Sequence, residues 1–321
     1  MVSTQLTLVT GGLGFIGSHV CETLNKRGQD FVVLDFNRSS PNISLIESLP
    51  HCKGILYDDI TEDPEILRAS LGQFKFTSMV HLAAAISVVE SLQCPEKYHR
   101  TNEEASRTLF ELAREQGVQY IAAASSAAVY GDPAYLPLDE EAPKTPLSPY
   151  AWTKLNMESI AKSVPGPQYT FFRFFNVYGS RQEPSNPYTG VISIFLDRCY
   201  RFSRGDKVPI TVFGDGNQTR DFVHVSDVAR AVCDAMEQRP WSHEVFNVAT
   251  GTSVTLLELI DVIKSLSGAY GIELKFEPLR EGEIVHSAAV VQKIAERHGW
   301  KSEIELSQGL QEVWSWFEST K

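Results

Sequence analysis

Long apolar runs and an excess of basic residues are both missing from this sequence. No run of about 18 apolar residues occurs, so no membrane-spanning helix is expected. Lys and Arg number 29 against 40 Asp and Glu, and the formal net charge is −11. Because phosphate-rich partners require a basic surface, this balance argues against broad binding of nucleic acid or of an anionic membrane. A small anionic ligand is still allowed where arginines gather.

The chain is also poor in cysteine, and its first residues lack the basic region of a signal peptide. The five cysteines, which form no CxxC pair and have no histidine at ligand spacing, are Cys21, Cys52, Cys94, Cys199 and Cys233. An odd, dispersed set indicates reduced thiols rather than a disulfide framework or a metal site. We therefore expect a cytoplasmic protein that binds no metal, no nucleic acid and no membrane.

Short apolar runs alternate with helix-length amphipathic segments in the first half of the chain. The runs are Leu6–Val9, Phe31–Leu34, Gly54–Tyr57, Ser78–Leu82, Tyr120–Ala124 and Tyr169–Phe175. Such alternation predicts βαβ units and a mostly parallel sheet that is covered on both faces. The expected fold class is therefore α/β, with a doubly wound parallel sheet.

The pattern changes after Gly179. A loop rich in Pro, Gly and Asn spans 182–190, and an apolar helical stretch follows at 191–199. The segment 222–235 has the pattern of a strand and a helix, which would return the chain to the first domain. Further helical segments follow at 256–266, 292–298 and 307–317. The predicted domains are 1–176 with about 218–245, and a smaller, discontinuous α/β domain made of 177–217 and 246–321.

A glycine-rich turn joins the first apolar run to the first helix. Its glycines have the spacing Gly11-x-x-Gly14-x-x-Gly17. In such a turn the first glycine allows a sharp bend, the second lets backbone N–H groups approach a pyrophosphate, and the third lets the helix pack on the strand. The N-terminus of the helix adds partial positive charge for the phosphates. This context predicts an NAD site in a Rossmann-type domain, with Phe15 and Ile16 beside the cofactor.

Carboxylates follow the second and third apolar runs. Asp35 lies 18 residues after Gly17, where a carboxylate binds the adenosine ribose and repels a 2′-phosphate. This position favours NAD over NADP, although Arg38 lies close by and leaves the preference open. Asp59 and Ile60 are placed to meet the adenine, while Asp59 equally suits the N-cap of a helix.

A phenol and an ammonium group have the spacing of a catalytic pair. Tyr150 and Lys154 are four residues apart, hence on one face of a helix. Ser125 and Ser126 lie at the end of the preceding apolar run, where active-site residues of parallel sheets gather. A phenol with a pKa of about 10 is a poor base at neutral pH. We expect the Lys154 ammonium and a cationic nicotinamide to lower the pKa of Tyr150, and Ser126 to hydrogen-bond the same substrate hydroxyl.

Together these motifs resemble a known family. The glycine loop, Asp35, the stretch Val-His81-Leu-Ala-Ala, Asn102, the stretch Ser-Ser-Ala-Ala-Val-Tyr-Gly and the Tyr-x-x-x-Lys pair resemble the extended short-chain dehydrogenase/reductases. Over essentially its whole length the chain resembles their nucleotide-sugar epimerase branch, most closely the UDP-hexose 4-epimerases. The resemblance implies an NAD-dependent isomerase that interconverts UDP-glucose and UDP-galactose through a transient 4-keto sugar.

The resemblance also implies roles for individual residues. Tyr150 would exchange the proton of the sugar 4-hydroxyl, Lys154 would bind the nicotinamide ribose, and Ser126 would orient the sugar. Further cofactor contacts would come from Leu82, Ala83, Ala84, Ser125 and Phe174. The UDP-sugar would be bound by Ser87, Asn176, Val191, Phe213, Arg220, Arg280, Glu283 and Ser287.

Within this substrate set, two arginines would form the cationic pocket that an acidic chain needs for a diphosphate. Arg220 and Arg280 would grip the diphosphate, and Asn176 would reach it as well. Phe213 would pack beside the uracil. Glu283 stands where the family has an Asp as ribose ligand. The resemblance extends to helices of the family's dimer, around 103–116 and 150–163, so a homodimer is expected.

Several alternatives to a UDP-glucose substrate remain open. Ser287 stands where the family borders the C2 substituent, and its small side chain leaves room for the N-acetyl group of UDP-GlcNAc or UDP-GalNAc, while it equally suits a helix N-cap. UDP-glucuronate is a further candidate. Sugar-nucleotide 4,6-dehydratases and UDP-glucuronate decarboxylases usually carry an acidic residue where this chain has Ala127 and Ala128, which favours epimerisation. A catalytically silent NAD-binding scaffold is the alternative of another class.

Overall fold

The computed structural model describes residues 5–133, 135–182, 190–238, 243–279 and 285–320. The strands in these ranges are β1 (Leu6–Thr10), β2 (Asp30–Leu34), β3 (Cys52–Leu56), β4 (Ser78–His81), β5 (Tyr120–Ser126), β6 (Gln168–Phe174), β7 (Asn176–Tyr178), β8 (Ile210–Phe213), β9 (Thr219–His224), β10 (Glu244–Val248), β11 (Ser253–Thr255) and β12 (Leu274–Glu277). The α-helices are α1 (Phe15–Lys26), α2 (Ile43–Glu47), α3 (Pro64–Leu71), α4 (Val88–Gln93), α5 (Pro95–Tyr98), α6 (Ala105–Glu115), α7 (Pro149–Ser163), α8 (Val191–Ser203), α9 (Val225–Gln238), α10 (Leu256–Ser267), α11 (Gln292–His298) and α12 (Leu306–Thr320). A π-helical segment, His99–Glu104, precedes α6, and a 3₁₀ turn, Ala127–Tyr130, follows β5.

Seven parallel strands form the central sheet, in the order β10–β6–β5–β4–β1–β2–β3. Strands β1 to β6 fall on the six apolar runs of the sequence, and the predicted α/β class is confirmed. Strand β1 lies between β2 and β4, so the direction of the chain order reverses at this point. Sheets of this kind bind ligands in the crevice beyond the carboxyl ends of the strands where the order reverses.

Strand β10 at the edge of this sheet is an element that the alternating pattern does not predict. It pairs with β6 from Glu244 opposite Thr170 to Val248 opposite Phe174. Only its last three residues are buried, a run too short to stand out without its partner strand. The central sheet therefore extends past residue 245, the predicted limit of the first domain, and the division into two domains stays a prediction.

Side chains on the two faces of the central sheet form two hydrophobic clusters. Successive strand residues point to opposite faces, so Val9 and Val33 belong to one cluster and Leu8 and Val32 to the other. Helices α1 and α9 complete the first cluster, whereas α3, α6 and α7 complete the second. Because both faces are covered, the strands read as continuous apolar runs.

The remaining elements have a core of their own. A three-stranded sheet (β11–β9–β7) and a two-stranded sheet (β12–β8) pack with α8, α10 and α12. Phe195, Ile210, Ile260 and Phe317 are buried in this core. Helix α9 lies between these elements along the chain, but it packs on α1. Through α9 the chain thus returns to the central sheet.

The five cysteines are free thiols, of which Cys21, Cys199 and Cys233 are buried. No helix within the described ranges is long and apolar enough to cross a membrane. Across the same ranges, no three side chains of His, Cys, Asp or Glu are grouped so that they could hold a metal ion.

Candidate active site

The glycine turn after β1 is too crowded for side chains. Gly11 has φ +72°, and a Cβ there would lie 2.8 Å from the backbone nitrogen of Ala83. A Cβ at Gly17 would lie 2.0 Å from the carbonyl oxygen of Gly11. Helix α1 begins at Phe15 after its N-cap Gly14, and no side chain caps its first N–H groups. These N–H groups are the donors that a pyrophosphate needs, so the turn fits NAD.

Asp35 follows β2 and anchors the glycine turn. Its Oδ2 accepts a hydrogen bond from the N–H of Leu13 and its Oδ1 one from the N–H of Asn37, each at 3.0 Å. Burial raises the pKa of this carboxyl group. Arg38 is engaged elsewhere, because it donates to the carbonyl oxygen of Tyr57 at 3.2 Å and its guanidinium lies 4.7 Å from the centre of that ring. The carboxylate is therefore the charged group that the turn holds in place.

Asp59 and Ile60 follow β3 and have different surroundings. The Oδ1 of Asp59 accepts hydrogen bonds from the N–H and the hydroxyl of Thr61, both at 2.9 Å, and closes a turn. It does not cap a helix, since Asp63 is the N-cap of α3. Ile60 is buried in the second core cluster. Asp59 is thus the more accessible of the two residues predicted beside adenine.

A buried hydrogen-bond chain holds the segment after β4 against the end of β1. The hydroxyl of Thr10 accepts from the N–H groups of Leu82 and Ala83 at 3.2 Å and lies 2.8 Å from Nδ1 of His81. His81 Nε2 lies 2.9 Å from Oγ of Ser106, whose proton goes to a carbonyl oxygen of the π-helical segment. The chain therefore places the imidazole proton on Nε2. Burial, and then a nearby ammonium group, lower the pKa of His81 to about 3, so the ring is neutral.

The residues predicted to perform the chemistry meet where β5 ends against α7. The hydroxyl of Ser126 lies near that of Tyr150, where it favours the ionised form of the phenol. The Nζ of Lys154 donates to the carbonyl oxygen of Ala124 at 2.9 Å and is buried. The N-cap Ser148, whose hydroxyl accepts from the N–H three residues further on at 3.2 Å, sets where α7 begins. A phenol, a hydroxyl and an ammonium group are thus brought to one edge of the sheet.

Burial acts on both titratable groups of this cluster. It raises the pKa of Tyr150, and the nearby hydroxyl of Ser126 offsets part of the rise. The protein's own groups therefore do not produce the expected lowering, because the loss of hydration of the phenolate outweighs the effect of that hydroxyl. Burial lowers the pKa of Lys154 to about 8, and the carboxylate of Glu158 opposes this change.

Glu158, one turn beyond Lys154 on α7, is a largely buried carboxylate that the sequence interpretation does not single out. Arg173 on β6 donates to both of its oxygens, at 3.0 Å from Nε and 2.7 Å from Nη2. The hydroxyl of Ser125 donates to Oε1 of Glu158 at 2.5 Å. Ser125, predicted to contact the cofactor, thus uses its proton within the protein. The spacing from Lys154 to Glu158 repeats that from Tyr150 to Lys154, which is the signal available in the sequence.

Several predicted substrate residues meet around β7 and β9. Asn176 begins β7, and Arg220 lies on the neighbouring strand β9. The Nη1 of Arg220 donates to the carbonyl oxygens of Thr219 at 2.9 Å and Val285 at 3.1 Å. The N–H of Ser287 donates to the carbonyl oxygen of Thr219 at 3.1 Å. Backbone pairing therefore brings Arg220 and Ser287 together from distant parts of the chain.

The other predicted contact residues differ in accessibility. Those that are partly buried are Ile16, Ala84, Val191 and Phe213. The hydroxyl of Ser87 caps α4 by accepting from the N–H of Glu90 at 3.0 Å. Phe174 is buried in the first core cluster, so its side chain packs against apolar neighbours. Arg280 and Glu283 lie outside the described residues.

Asp221, next to Arg220, is a second buried carboxylate that the sequence does not single out. It accepts hydrogen bonds from the N–H and hydroxyl of Thr250, both at 2.8 Å, and from the N–H of Gly251 at 2.9 Å. Burial raises its pKa. Asp221 thereby ties β9 to the turn after β10. Its partners are about 30 residues away, so no local pattern could reveal them.

The chain matches a known protein family, and it is similar to relatives of known name or structure. Residues 7–249 match the NAD dependent epimerase/dehydratase family. A protein of Methanocaldococcus jannaschii with the provisional name UDP-glucose 4-epimerase is 38% identical over 319 residues, which cover 98% of this chain and 99% of its own. The structure of UDP-glucose 4-epimerase from Thermotoga maritima with UDP-glucose is 33% identical, with a TM-score of 0.89, and the match covers 98% of this chain and 99% of that one. The structure of UDP-N-acetylglucosamine 4-epimerase from Methanobrevibacter ruminantium in complex with UDP-N-acetylmuramic acid is 31% identical, with a TM-score of 0.87 and 99% of each chain covered.

Replacing Gly17 by Ala should weaken NAD binding, because the new Cβ has to displace the backbone of Gly11. We expect the Kd for NAD, measured by titration calorimetry, to rise at least about tenfold. Gly54→Ala is the matched control, since a Cβ at Gly54 would meet the ring of Phe74 at an ordinary 3.5 Å. An unchanged Kd in Gly17→Ala would show that the close approach at this turn is not needed for the cofactor.

Proposed function

The chain belongs to the NAD-dependent epimerase/dehydratase family and is an epimerase that uses NAD, and we propose that it interconverts UDP-glucose and UDP-galactose by inverting C4 of the hexose. The observation that carries this proposal is the cluster at the end of β5, where Ser126 lies near Tyr150 and the buried Lys154 lies one turn further along α7. The names of the relatives from M. jannaschii and T. maritima support UDP-glucose as substrate.

The hydroxyl pair at the end of β5 would act on the 4-hydroxyl of the sugar. Tyr150 in its ionised form takes the hydroxyl proton as C4 is oxidised to a ketone, and it returns the proton when C4 is reduced. Ser126 donates a hydrogen bond to the same sugar oxygen and keeps it in line with Tyr150. Because one group both takes and returns the proton, the reaction leaves the protein unchanged after each turnover.

The cofactor would be held by backbone and side-chain groups of the first domain. The N–H groups at the start of α1 would bind the pyrophosphate, Asp35 the adenosine ribose and Lys154 the nicotinamide ribose. When bound, NAD supplies the acceptor for the hydride that leaves C4, and a positive charge that favours the ionised form of Tyr150. Burial alone favours the neutral phenol, so base strength at Tyr150 depends on this complex being complete.

The substrate would be held mainly through its UDP part. Arg220, fixed on β9 by two backbone carbonyl oxygens, and Arg280 would bind the diphosphate, and Glu283 the ribose. Binding energy from UDP is remote from the reacting carbon, so it leaves the hexose free to present either face of C4. A 4-keto sugar that is held only through its UDP part can rotate within the site and be reduced on the other face of C4.

The turn after β5 supports epimerisation rather than dehydration or decarboxylation. Ala127 and Ala128 occupy the 3₁₀ turn that follows Ser126, and neither offers an acid or base for C5 or C6. UDP-GlcNAc and UDP-GalNAc are the second candidate pair, since a relative of known structure is a UDP-N-acetylglucosamine 4-epimerase and Ser287 is small. UDP-glucuronate ranks third.

The proposed enzyme is a cytoplasmic homodimer that pairs through the helices around 103–116 and 150–163. Apolar side chains beside these helices support such pairing. Trp152 on α7 is 51% exposed, and Val89 and Leu92 on the adjoining α4 are 56% and 57% exposed. An apolar patch of this kind is covered when two copies associate.

Replacing Tyr150 by Phe removes the proposed base while keeping the ring. We expect kcat for UDP-galactose, followed by a coupled assay of UDP-glucose, to fall at least about 100-fold, with the Kd for UDP largely unchanged. Tyr120→Phe, at the other end of β5, is the matched control and should retain turnover. Full activity of Tyr150→Phe would refute the proposed chemistry.

Replacing Ser287 by Tyr should close the space beside C2. The value of kcat/KM for UDP-GlcNAc should fall at least about tenfold, whereas that for UDP-glucose should change less, because a hydroxyl needs less room than an N-acetyl group. Ser287→Ala keeps the space and should preserve the ratio of the two values. Equal losses for both substrates in Ser287→Tyr would mean that Ser287 does not border C2.

Replacing Trp152 by Glu places a charge in the proposed dimer contact. Light scattering at micromolar protein should give the mass of two chains for the parent and of one chain for the variant. Tyr270→Glu, at a 70% exposed aromatic residue far along the chain in the second domain, should leave the mass unchanged. A parent protein that is monomeric at this concentration would contradict the homodimer.

A further inference from the structure

The end of β5 is joined to α7 by three successive contacts. The pairs are Ser126 with Tyr150, Ala124 with Lys154 and Ser125 with Glu158. The helix residues are spaced four apart, so they form one stripe along α7, and the strand residues are consecutive. The first two pairs contain the groups proposed to act on the sugar and the cofactor. The third pair has no part in that chemistry, and its carboxylate requires an explanation of its own.

Glu158 is locked in place from β6. The side chains of Arg173 and Glu158 are only 3% and 9% exposed, and two nitrogens of the guanidinium each bind one oxygen of the carboxylate. The Nη1 of Arg173 also donates to the hydroxyl of Tyr130 and to the carbonyl oxygen of Glu140, each at 3.0 Å. An apolar pair of similar size would hold helix and strand together at least as well, because burying two charges costs much of what their attraction returns. The charge of Glu158 therefore points to a role other than stability.

Lys154 is the group that this charge can serve. The titratable groups that act on Lys154 or Glu158 are His81 on β4, Arg173 on β6 and Lys144 in the loop before α7. Tyr150 lies on the same face of α7, and Tyr130 and Glu140 contact Arg173. At neutral pH the imidazole and the phenols are uncharged. Glu140 lies on the far side of Arg173, where it accepts from the N–H of Asn247 at 2.8 Å. Glu158 is thus the carboxylate that acts on the Lys154 ammonium, and Arg173 fixes its position.

We propose that Glu158 is a positioning residue that keeps Lys154 an ammonium ion at neutral pH and holds it against the end of β5. The inference rests on the role proposed above for Lys154. Burial brings the pKa of Lys154 down to about 8 even with Glu158 present. The ammonium is lost as pH rises through this value, so removing the carboxylate should move the loss into the neutral range. The alkaline limb of the activity profile should then move to lower pH.

The first test measures Lys154 itself and does not depend on turnover. In protein labelled with carbon-13 at lysine Cε, the Lys154 signal is assigned by its absence from Lys154→Arg and is followed by NMR from pH 6 to pH 11. In Glu158→Gln the midpoint should fall by about one pH unit, the size of effect that a nearby opposite charge has. Glu158→Asp, which keeps the charge on a shorter side chain, should recover part of this shift.

A matched control separates charge from structure. Glu103→Gln is the same substitution at a carboxylate that also contacts α7, since Glu103 accepts from the side chain of Asn156 at 3.0 Å. It should leave the Lys154 midpoint where it is. If Glu158→Gln does not fold because it leaves a buried guanidinium unpaired, the double variant Glu158→Gln/Arg173→Gln is compared with Arg173→Gln. These two differ only in the carboxylate, and the Lys154 midpoint should be lower in the double variant. An unchanged Lys154 midpoint in Glu158→Gln, or equal midpoints in Arg173→Gln and the double variant, overturns the inference.

The second test is the pH dependence of kcat. In Glu158→Gln the alkaline limb should move down by about the same amount as the NMR midpoint, so that activity falls more at pH 8.5 than at pH 7. A merely structural role would lower the melting temperature and kcat at all pH values without moving the limb, and that result also overturns the inference. Failure of the proposed function would give a different result. Lys154→Met would then retain turnover, even if Glu158→Gln shifts the midpoint of Lys154.

Discussion

Registry between the carboxyl end of β5 and helix α7 is the constraint on which the active site depends. Side-chain directions repeat every two residues along a strand and every 3.6 residues along a helix, so a strand and a helix stay in register only over a short length. Here that length is the last residues of β5, which meet successive turns of α7 along one stripe. The N-cap Ser148 sets where the helix starts and hence which residues form that stripe. Rotating α7 by one residue would turn Tyr150 and Lys154 away from β5 together. The hydroxyl of Ser126 would then have no phenol beside it.

The second constraint is that an acidic chain must hold an anionic cofactor and substrate. The structure meets it with backbone donors and few cations. The N-cap of α1 is Gly14, which has no side chain, so the first N–H groups of the helix stay uncapped. These N–H groups need no side-chain charge to attract a phosphate. Two buried carboxylates also work through backbone N–H groups rather than through charged partners. Asp35 and Asp221 each accept hydrogen bonds from backbone N–H groups and so fix the turns between which ligands would lie.

The parts of the fold and site that can be predicted from the sequence are those with short-range signals. Strands β1 to β6 show as apolar runs because both faces of the sheet are covered, and the glycine turn shows because its spacing is local. Strand β10 is not predicted, since its short buried half gains meaning only from pairing with β6. The partners of Asp221 and Arg173 are equally hidden, because they come from segments that are distant along the chain.

The sequence by itself determines the alternating α/β pattern, the glycine turn and the common face of Tyr150 and Lys154, because each rests on residues within one or two helical turns. The tertiary structure alone decides how the groups are used. Ser125 and Ser126 are neighbours of the same type, yet one donates to Glu158 and the other lies beside Tyr150. Burial raises the pKa of Tyr150 and lowers that of Lys154, which no spacing predicts. The physical reason is that hydration and hydrogen-bond partners are set by the elements that pack around a side chain, and these come from several distant parts of the chain.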